Sequence, residues 1–272
     1  MGTAQKITAL PDRVGAATLN GLAYLGALAR LAGESAYITV VGPFRGQRLR
    51  LRQTRHQAMA VGVGAIPIVS LITFFVGLIM ALQSAYELRR LGAIQFVADA
   101  VAISIIRELG PLITAIIVIG RSGSAFAAEI GTMKVTEEVD ALETMGVRPA
   151  SFLVAPKFVA MMVMVPCLTI WADFMGVMGG CLFGVIGANF TVMSYLRATR
   201  DALVVSDILT GLVKSALFAV VITAVGCQEG FSTGAGAEEV GRSTTTAVVR
   251  SIFMVIAVDL VFTALFYLTN RG

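Results

Sequence analysis

Charge is scarce in this sequence: 14% of its 272 residues are Asp, Glu, Lys or Arg, against 57% apolar, and the mean hydropathy is +0.84. So few charges cannot cover a soluble domain of this length, which places the chain among integral membrane proteins. Histidine is scarcer still. His56 is the only one, so a His-based metal site or catalytic triad is not available, and its setting among arginines suits an interfacial side chain. Cys167, Cys181 and Cys227 lie in or at the ends of apolar stretches with no CxxC spacing; they read as small buried apolar residues rather than metal or redox groups. No G-x-x-x-x-G-K-[ST], GxSxG or HExxH pattern occurs, so the chain has no phosphate-binding loop of its own and no familiar hydrolytic constellation. The Gly-rich stretch Gly226–Gly241 does not replace one, because Glu229, Glu238 and Glu239 would repel phosphate; it reads as a flexible cytoplasmic loop.

Long apolar runs are what the sequence has instead. Segments 61–85, 104–128, 156–188, 206–227 and 248–268 are each long enough for the roughly 30 Å hydrocarbon core at about 1.5 Å per residue. With the N-terminus in the cytoplasm, the inside segments carry 14 Lys or Arg and the outside segments 6, so the positive-inside rule predicts a cytoplasmic N-terminus and an external C-terminus. Segment 156–188 exceeds one straight crossing. Pro166, Asp173 and the pairs Gly176–Gly180 and Gly180–Gly184 suit either one bent helix or a re-entrant hairpin; with no polar turn inside it, one bent crossing is expected.

Residues 1–60 form a basic segment ahead of the first span. Lys6, Arg13, Arg30, Arg45, Arg48, Arg50, Arg52 and Arg55 stand against only Asp12 and Glu34. Leu19, Leu22, Leu25 and Leu31 supply an apolar surface that the surrounding glycines and Asn20 weaken, so an amphipathic helix lying on the membrane is expected. A signal peptide competes with this reading but lacks a convincing cleavage site. The Arg45–Arg55 cluster sits directly before an apolar run, which favours contact with anionic lipid over nucleic acid.

The stretch from Arg107 to Pro149 joins a span to an acid-rich amphipathic helix with no room for a domain between them. From Leu109 to Ala128 only Arg121 is charged, and from Glu129 to Glu143 five acids stand against one Lys, so the chain is expected to leave the hydrocarbon near Glu129. Val135, Val139 and Leu142 recur at helical spacing with Met145 nearby, while Glu137 and Asp140 face away. An acidic outer face is wrong for anionic headgroups and right for a basic groove on another protein.

Ionisable groups at membrane depth need partners or a water-filled cavity. Arg107 and Glu108 are adjacent, about 100° apart on a helix, and so are poor partners for each other. Either they snorkel to the outer interface or they line the mouth of a cavity. Arg121 is expected to snorkel to inner-leaflet phosphates. Lys214 and Asp259 both lie on the order of 12–13 Å below the outer edge of their spans. That match predicts a buried ion pair, a structural tie in preference to a proton relay, because no further acid or His continues a path.

The residues Arg107-Glu108-Leu109-Gly110-Pro111, Gly120-Arg121-Ser122-Gly123-Ser124, Glu129-Ile130-Gly131, Asp140-Ala141-Leu142-Glu143 and Met145-Gly146-Val147, with Lys214, Ser215, Phe218, the Gly226–Gly241 stretch, Asp259 and Thr263, resemble the signature of the MlaE family. These are membrane subunits of ABC-type lipid transporters that work with MCE-domain proteins. From this, together with the apolar runs and the basic N-terminal segment, an all-α integral membrane protein is expected: an N-terminal interfacial helix in segment 1–60, then a permease domain over 61–272 with about five transmembrane helices. The resemblance adds a role to one cytoplasmic helix. It makes the helix at about 129–147 a cytoplasmic coupling helix seated in a groove of an ATPase, with Glu129, Gly131, Asp140, Glu143 and Gly146 matching the family and Glu137 on the same outward face. By alignment, Met80, Gln83, Leu88, Leu91, Arg107, Glu108 and Leu109 line a substrate cavity. Leu91 stands where an aromatic occurs in relatives, and Glu87 where an apolar residue is common.

The resemblance further implies a homodimer in a bacterial inner membrane, separate ABC ATPase subunits that bind the ATP, an MCE-protein oligomer and often a STAS-domain protein. No cofactor is expected in this chain. Its task would be to move phospholipid between the inner membrane and the MCE partner, contributing to outer-membrane lipid asymmetry. Two other classes compete. An ion-coupled secondary transporter of a hydrophobic solute would employ Lys214 and Asp259, yet no inverted repeat is visible; an intramembrane lipid enzyme lacks a catalytic constellation.

Overall fold

Chain crossing lipid must pair every backbone polar group internally, and here helices alone meet that requirement. The computed structural model describes residues 4–41 and 51–269, among which no strand occurs. In chain order the helices are α1 (Ala4–Val41), α2 (Leu51–Val61), α3 (Ile66–Arg90), α4 (Val97–Ser104), α5 (Gly110–Val118), α6 (Ser124–Val135), α7 (Glu138–Thr144), α8 (Ala155–Gly187), α9 (Val192–Ala202), α10 (Val205–Phe231) and α11 (Ala237–Thr269). Five helical stretches are long and apolar enough to cross a membrane: Leu51–Arg90, Ile94–Val135, Ala150–Gly187, Val205–Phe231 and Ala237–Leu268. The protein is an all-α multi-pass membrane protein. Short connections make successive crossings antiparallel, which leaves α7 at one end of the bundle and α9 at the other.

Segment 156–188 is a single crossing. Its helix α8 runs unbroken for 33 residues with Pro166 inside, and no re-entrant hairpin forms. Two of the three widened turns in the bundle follow from proline. Proline has no N–H for the usual bond four residues back. Before Pro111 and Pro156, the N–H groups of Gly110 and Ala155 donate five residues back, to Ile105 O and Ala150 O, and the helix widens over Ile105–Leu109 and Ala150–Val154. Such bulges re-aim side chains and recur at functional sites.

Glycines set the closest helix approaches. A Cβ added to Gly77 would lie 1.9 Å from Gly176 O, and one added to Gly179 would lie 2.0 Å from Phe74 O, so α3 and α8 pack backbone to backbone. Gly180 and Gly184 serve a different neighbour, the Tyr195 side chain of α9, which enters the space their missing side chains leave. Burial, and then Cys181 and Asp99, push the Tyr195 hydroxyl pKa above its ordinary value.

At 38 residues, α1 is longer than the interfacial helix expected around Leu19–Leu31. Leu19, Leu22 and Leu25 are exposed, while Leu28 and Leu31 are buried. Of the basic cluster expected on anionic lipid, Arg45, Arg48 and Arg50 lie outside the described residues. A polar fastening adds to the apolar contacts at the α7 end. Tyr24 Oη donates to Glu229 Oε1 (2.6 Å), Arg250 Nη1 reaches the same oxygen (2.6 Å), and the Arg250 guanidinium lies 4.7 Å from the Tyr24 ring centre. Burial and the Glu229 carboxylate push the Tyr24 hydroxyl pKa above its ordinary value. Tyr24→Phe is expected to loosen α1 by about 1 kcal/mol, the net worth of one such hydrogen bond. Limited proteolysis would register this as faster cleavage ahead of Leu51 with the spans intact; unchanged cleavage would assign the anchoring to Leu28 and Leu31 alone.

Candidate functional site

The widened turn before Pro111 aims two adjacent charges at different partners. Glu108 Oε2 accepts from Lys214 Nζ of α10 (2.5 Å). Arg107 Nε lies 3.6 Å from Asp207 Oδ1, and its guanidinium sits 5.3 Å from the Phe266 ring centre. Lys214 also donates to Thr263 Oγ1 (2.7 Å) and lies 3.0 Å from Asp259 Oδ1, a charge contact off the hydrogen-bonding direction. Only 1% of the Lys214 side chain is exposed. One ammonium therefore ties the second, fourth and fifth crossings together, and the pair expected from membrane depth has a third ionic member in Glu108. Backbone adds to the junction. Gly110 N–H goes to Ile105 O and Pro111 has no N–H, which deprives Ile106 O of its usual helical donors. Gly211 lets α10 close on that oxygen, since a Cβ there would lie 2.4 Å from it.

Among the described residues, the seven aligned with a substrate cavity have different surroundings. Met80 and Leu88 pack in an apolar cluster with Ala81, Ala85, Val97 and Val101. Gln83 faces a hollow of about 480 Å³ that it lines with Leu82, Tyr86 and Glu87. Leu91 is 77% exposed beyond the end of α3. Leu109 packs toward Thr73, Val76 and Ile113, while Arg107 and Glu108 are engaged as above. The dispersal is helical geometry: around α3, position 83 falls about 60° to one side of position 80 and position 88 about 80° to the other, so Gln83 and Leu88 diverge.

At the opposite end, α7 separates two groups of residues that the sequence placed together. Glu129 and Gly131 belong to α6, Gly131 buried and Glu129 exposed at its surface. Glu129 Oε2 accepts from the wholly buried Lys157 Nζ (2.6 Å), which also lies 5.1 Å from the Phe126 ring centre. Gly131 is buried where a Cβ would lie 2.7 Å from Thr233 Oγ1. Helix α6 runs on to Val135, six residues past the first of those acids, with the Glu129 carboxylate paired to Lys157. The turn is made by Glu137, whose left-handed φ of 61° is uncommon outside glycine. In α7, Val139 and Leu142 are buried, whereas Glu137, Glu138, Asp140 and Glu143 are exposed. Gly146 (φ +73°) ends it in a Schellman turn: Val147 N–H donates to Leu142 O and Gly146 N–H to Glu143 O, both at 2.9 Å. Asp140 is additionally held by Lys134 Nζ (2.5 Å).

Arg121, expected to snorkel, is exposed, and its Nη1 donates to Ala60 O of α2 (2.9 Å). Beside it at this end, a hollow of about 1240 Å³ is lined by Arg52, Arg55, His56 and Glu129 among others. The Lys157, Tyr24 and Arg121 contacts were not foreseen from sequence. A signal existed for the first, since Lys157 is the lone cation at the start of one apolar run and Glu129 the first acid at the end of the preceding one.

A family profile described as Permease MlaE matches residues 54–265. A probable ABC transporter permease protein of Rickettsia typhi is 41% identical over 219 residues, 80% of this chain and 85% of that protein. A probable ABC transporter permease protein of Synechocystis is 38% identical, over 76% of this chain and 79% of its own length. The chloroplastic protein TRIGALACTOSYLDIACYLGLYCEROL 1 of Arabidopsis thaliana is 33% identical over 81% of this chain and 63% of its own.

Proposed function

The chain belongs to the MlaE permease family, and from that premise we propose that it is the membrane subunit of an ABC transporter for phospholipid. It works as a homodimer, with ATPase subunits and a STAS-domain protein at the α7 end and an MCE-protein oligomer at the α9 end. The α7 end faces the cytoplasm of a bacterial inner membrane, in keeping with the excess of Lys and Arg on that side, and the C-terminus faces the periplasm. A lipid cargo is supported by the Arabidopsis relative, whose name is that of a galactolipid. The intramembrane charges do not call for ion coupling, because Lys214 is enclosed by Glu108, Thr263 and Asp259.

The observation that carries this reading is α7. A chain without a phosphate loop presents, at the end of a span, a short helix fixed by Val139 and Leu142 beneath and acidic on its free side. That face suits a basic groove on a protein partner. Reversing Glu137 and Glu143 to Lys is expected to cut the copurified ATPase by at least about tenfold, since like charges across an interface cost several kcal/mol. Both side chains are exposed, so the amount of chain in the membrane should not change. Undiminished ATPase recovery would move the docking site away from α7. Wild-type chain purified in nanodiscs with neither an ATPase, an MCE protein nor bound phospholipid would end the transporter reading.

A further inference from the structure

We infer that Arg121 is a positioning residue that passes the movement of α6 and α7 to α2 and the first crossing, an inference that rests on reading α7 as the ATPase docking helix. The second crossing widens at Ile119–Gly123, where Ser124 N–H donates to Ile119 O. No proline follows to force this bulge. It carries Arg121, whose Nη1 donates to Ala60 O. Ala60 lies in the last turn of α2, where carbonyls lack the usual donor and the helix dipole is negative. Arg121 thus caps, from another crossing, the end of α2. The cap falls where the first crossing changes from α2 to α3, through a tight turn at Val63–Ala65 with Pro67 just beyond. Its space depends on Gly64, because a Cβ there would meet Arg121 Nη2 at 2.1 Å.

The other end of the device is equally defined. Helix α6 runs without a break over 12 residues from Ser124, about 18 Å at 1.5 Å per residue, and is joined to α7 by the Lys134–Asp140 ion pair. Displacement of α7 therefore reaches Arg121 through one rigid element. Because α2 also rests on α8, loss of the cap leaves α2 in place while α6 moves without it. The effect is on coupling rather than on folding.

Gly64→Ala is the cleanest test, since the added methyl displaces only the flexible end of Arg121; Arg121→Gln and Arg121→Lys accompany it. The assembled transporter is assayed in liposomes for ATP hydrolysis, ATP-dependent phospholipid transfer and melting temperature. Lipid moved per ATP is expected to fall about tenfold in Gly64→Ala and Arg121→Gln, the scale of one lost charged hydrogen bond, with hydrolysis and melting near wild type and partial recovery in Arg121→Lys. An unchanged ratio, or transfer, hydrolysis and melting all falling together, would overturn the inference. A wild-type complex that hydrolyses ATP but moves no lipid would instead overturn the transporter's proposed cargo. In that event spin labels at Gln57 and Ala128, with the native cysteines replaced, decide the matter. Their separation should hold through the nucleotide cycle in the wild type and broaden in Gly64→Ala; equal behaviour would refute the cap's role.

Discussion

Lys214→Leu is expected to remove nearly all folded protein from the membrane, and the reason is the charge it leaves behind. Lys214 Nζ is the cation between Glu108 (2.5 Å) and Asp259 (3.0 Å). Without it, two carboxylates converge with the cation between them gone, Glu108 keeping its bond from Thr263. Breaking a buried ion pair by removing one member costs about 3–5 kcal/mol, a large share of the roughly 5–15 kcal/mol that typically holds a protein folded. Removing an acid is a different experiment. Glu108→Gln leaves Lys214 paired with Asp259, and Asp259→Asn leaves it paired with Glu108. Each should cost only about 1–2 kcal/mol, more so because the Glu108 side chain is 39% exposed and partly screened. The triple change Lys214→Met, Glu108→Gln, Asp259→Asn leaves no charge and should recover much of the loss. Fluorescence-detected size exclusion and thermal inactivation in mild detergent would rank the four variants. A Lys214→Leu protein as stable as Glu108→Gln, or a triple variant worse than Lys214→Leu, would show that the cluster does not carry the stability assigned to it.

That cluster also marks how far the sequence is legible. Depth along two straight helices can be counted, so Lys214 and Asp259 were comparable from residue numbers alone. Glu108 was not, because its direction is set by a widened turn that Pro111 imposes and by an oxygen that Gly211 admits. Existence and number of crossings were legible because hydrocarbon thickness leaves few alternatives. Boundaries were less so. Glu129 resembled the first residue out of the membrane, yet helix α6 continues to Val135 and the exposed Glu129 carboxylate is met by Lys157, 28 residues later. A rule that prices each charge singly cannot see such compensation. The aligned cavity residues illustrate another limit: Met80, Gln83 and Leu88 are close in sequence but diverge around α3.

Gly77→Ala and Gly179→Ala make the second large prediction, and they separate helix approach from helix propensity. In isolation each change should stabilise, since Ala is favoured over Gly by about 1 kcal/mol within a helix. Here the added Cβ would meet backbone, Gly176 O at 1.9 Å from position 77 and Phe74 O at 2.0 Å from position 179. Neither oxygen can swing aside as a side-chain end would, so α3 and α8 must part by more than 1 Å, well outside the about 3.5–4.0 Å optimum for the contacts they now make. Overpacking of this kind costs about 1–3 kcal/mol or more, and in lipid the interface has little but close packing to hold it. Each variant is expected to melt about 5–10 °C lower, at the 2–4 °C per kcal/mol typical of domains this size. Gly241→Ala supplies the control, having open space around its Cβ and the same gain in propensity; it should be neutral or stabilising. The double variant should cost less than the sum of the singles, because one separation of α3 from α8 relieves both clashes. Full additivity would mean the two contacts yield independently, and equal melting of Gly77→Ala and Gly241→Ala would mean the helices do not rest on these glycines.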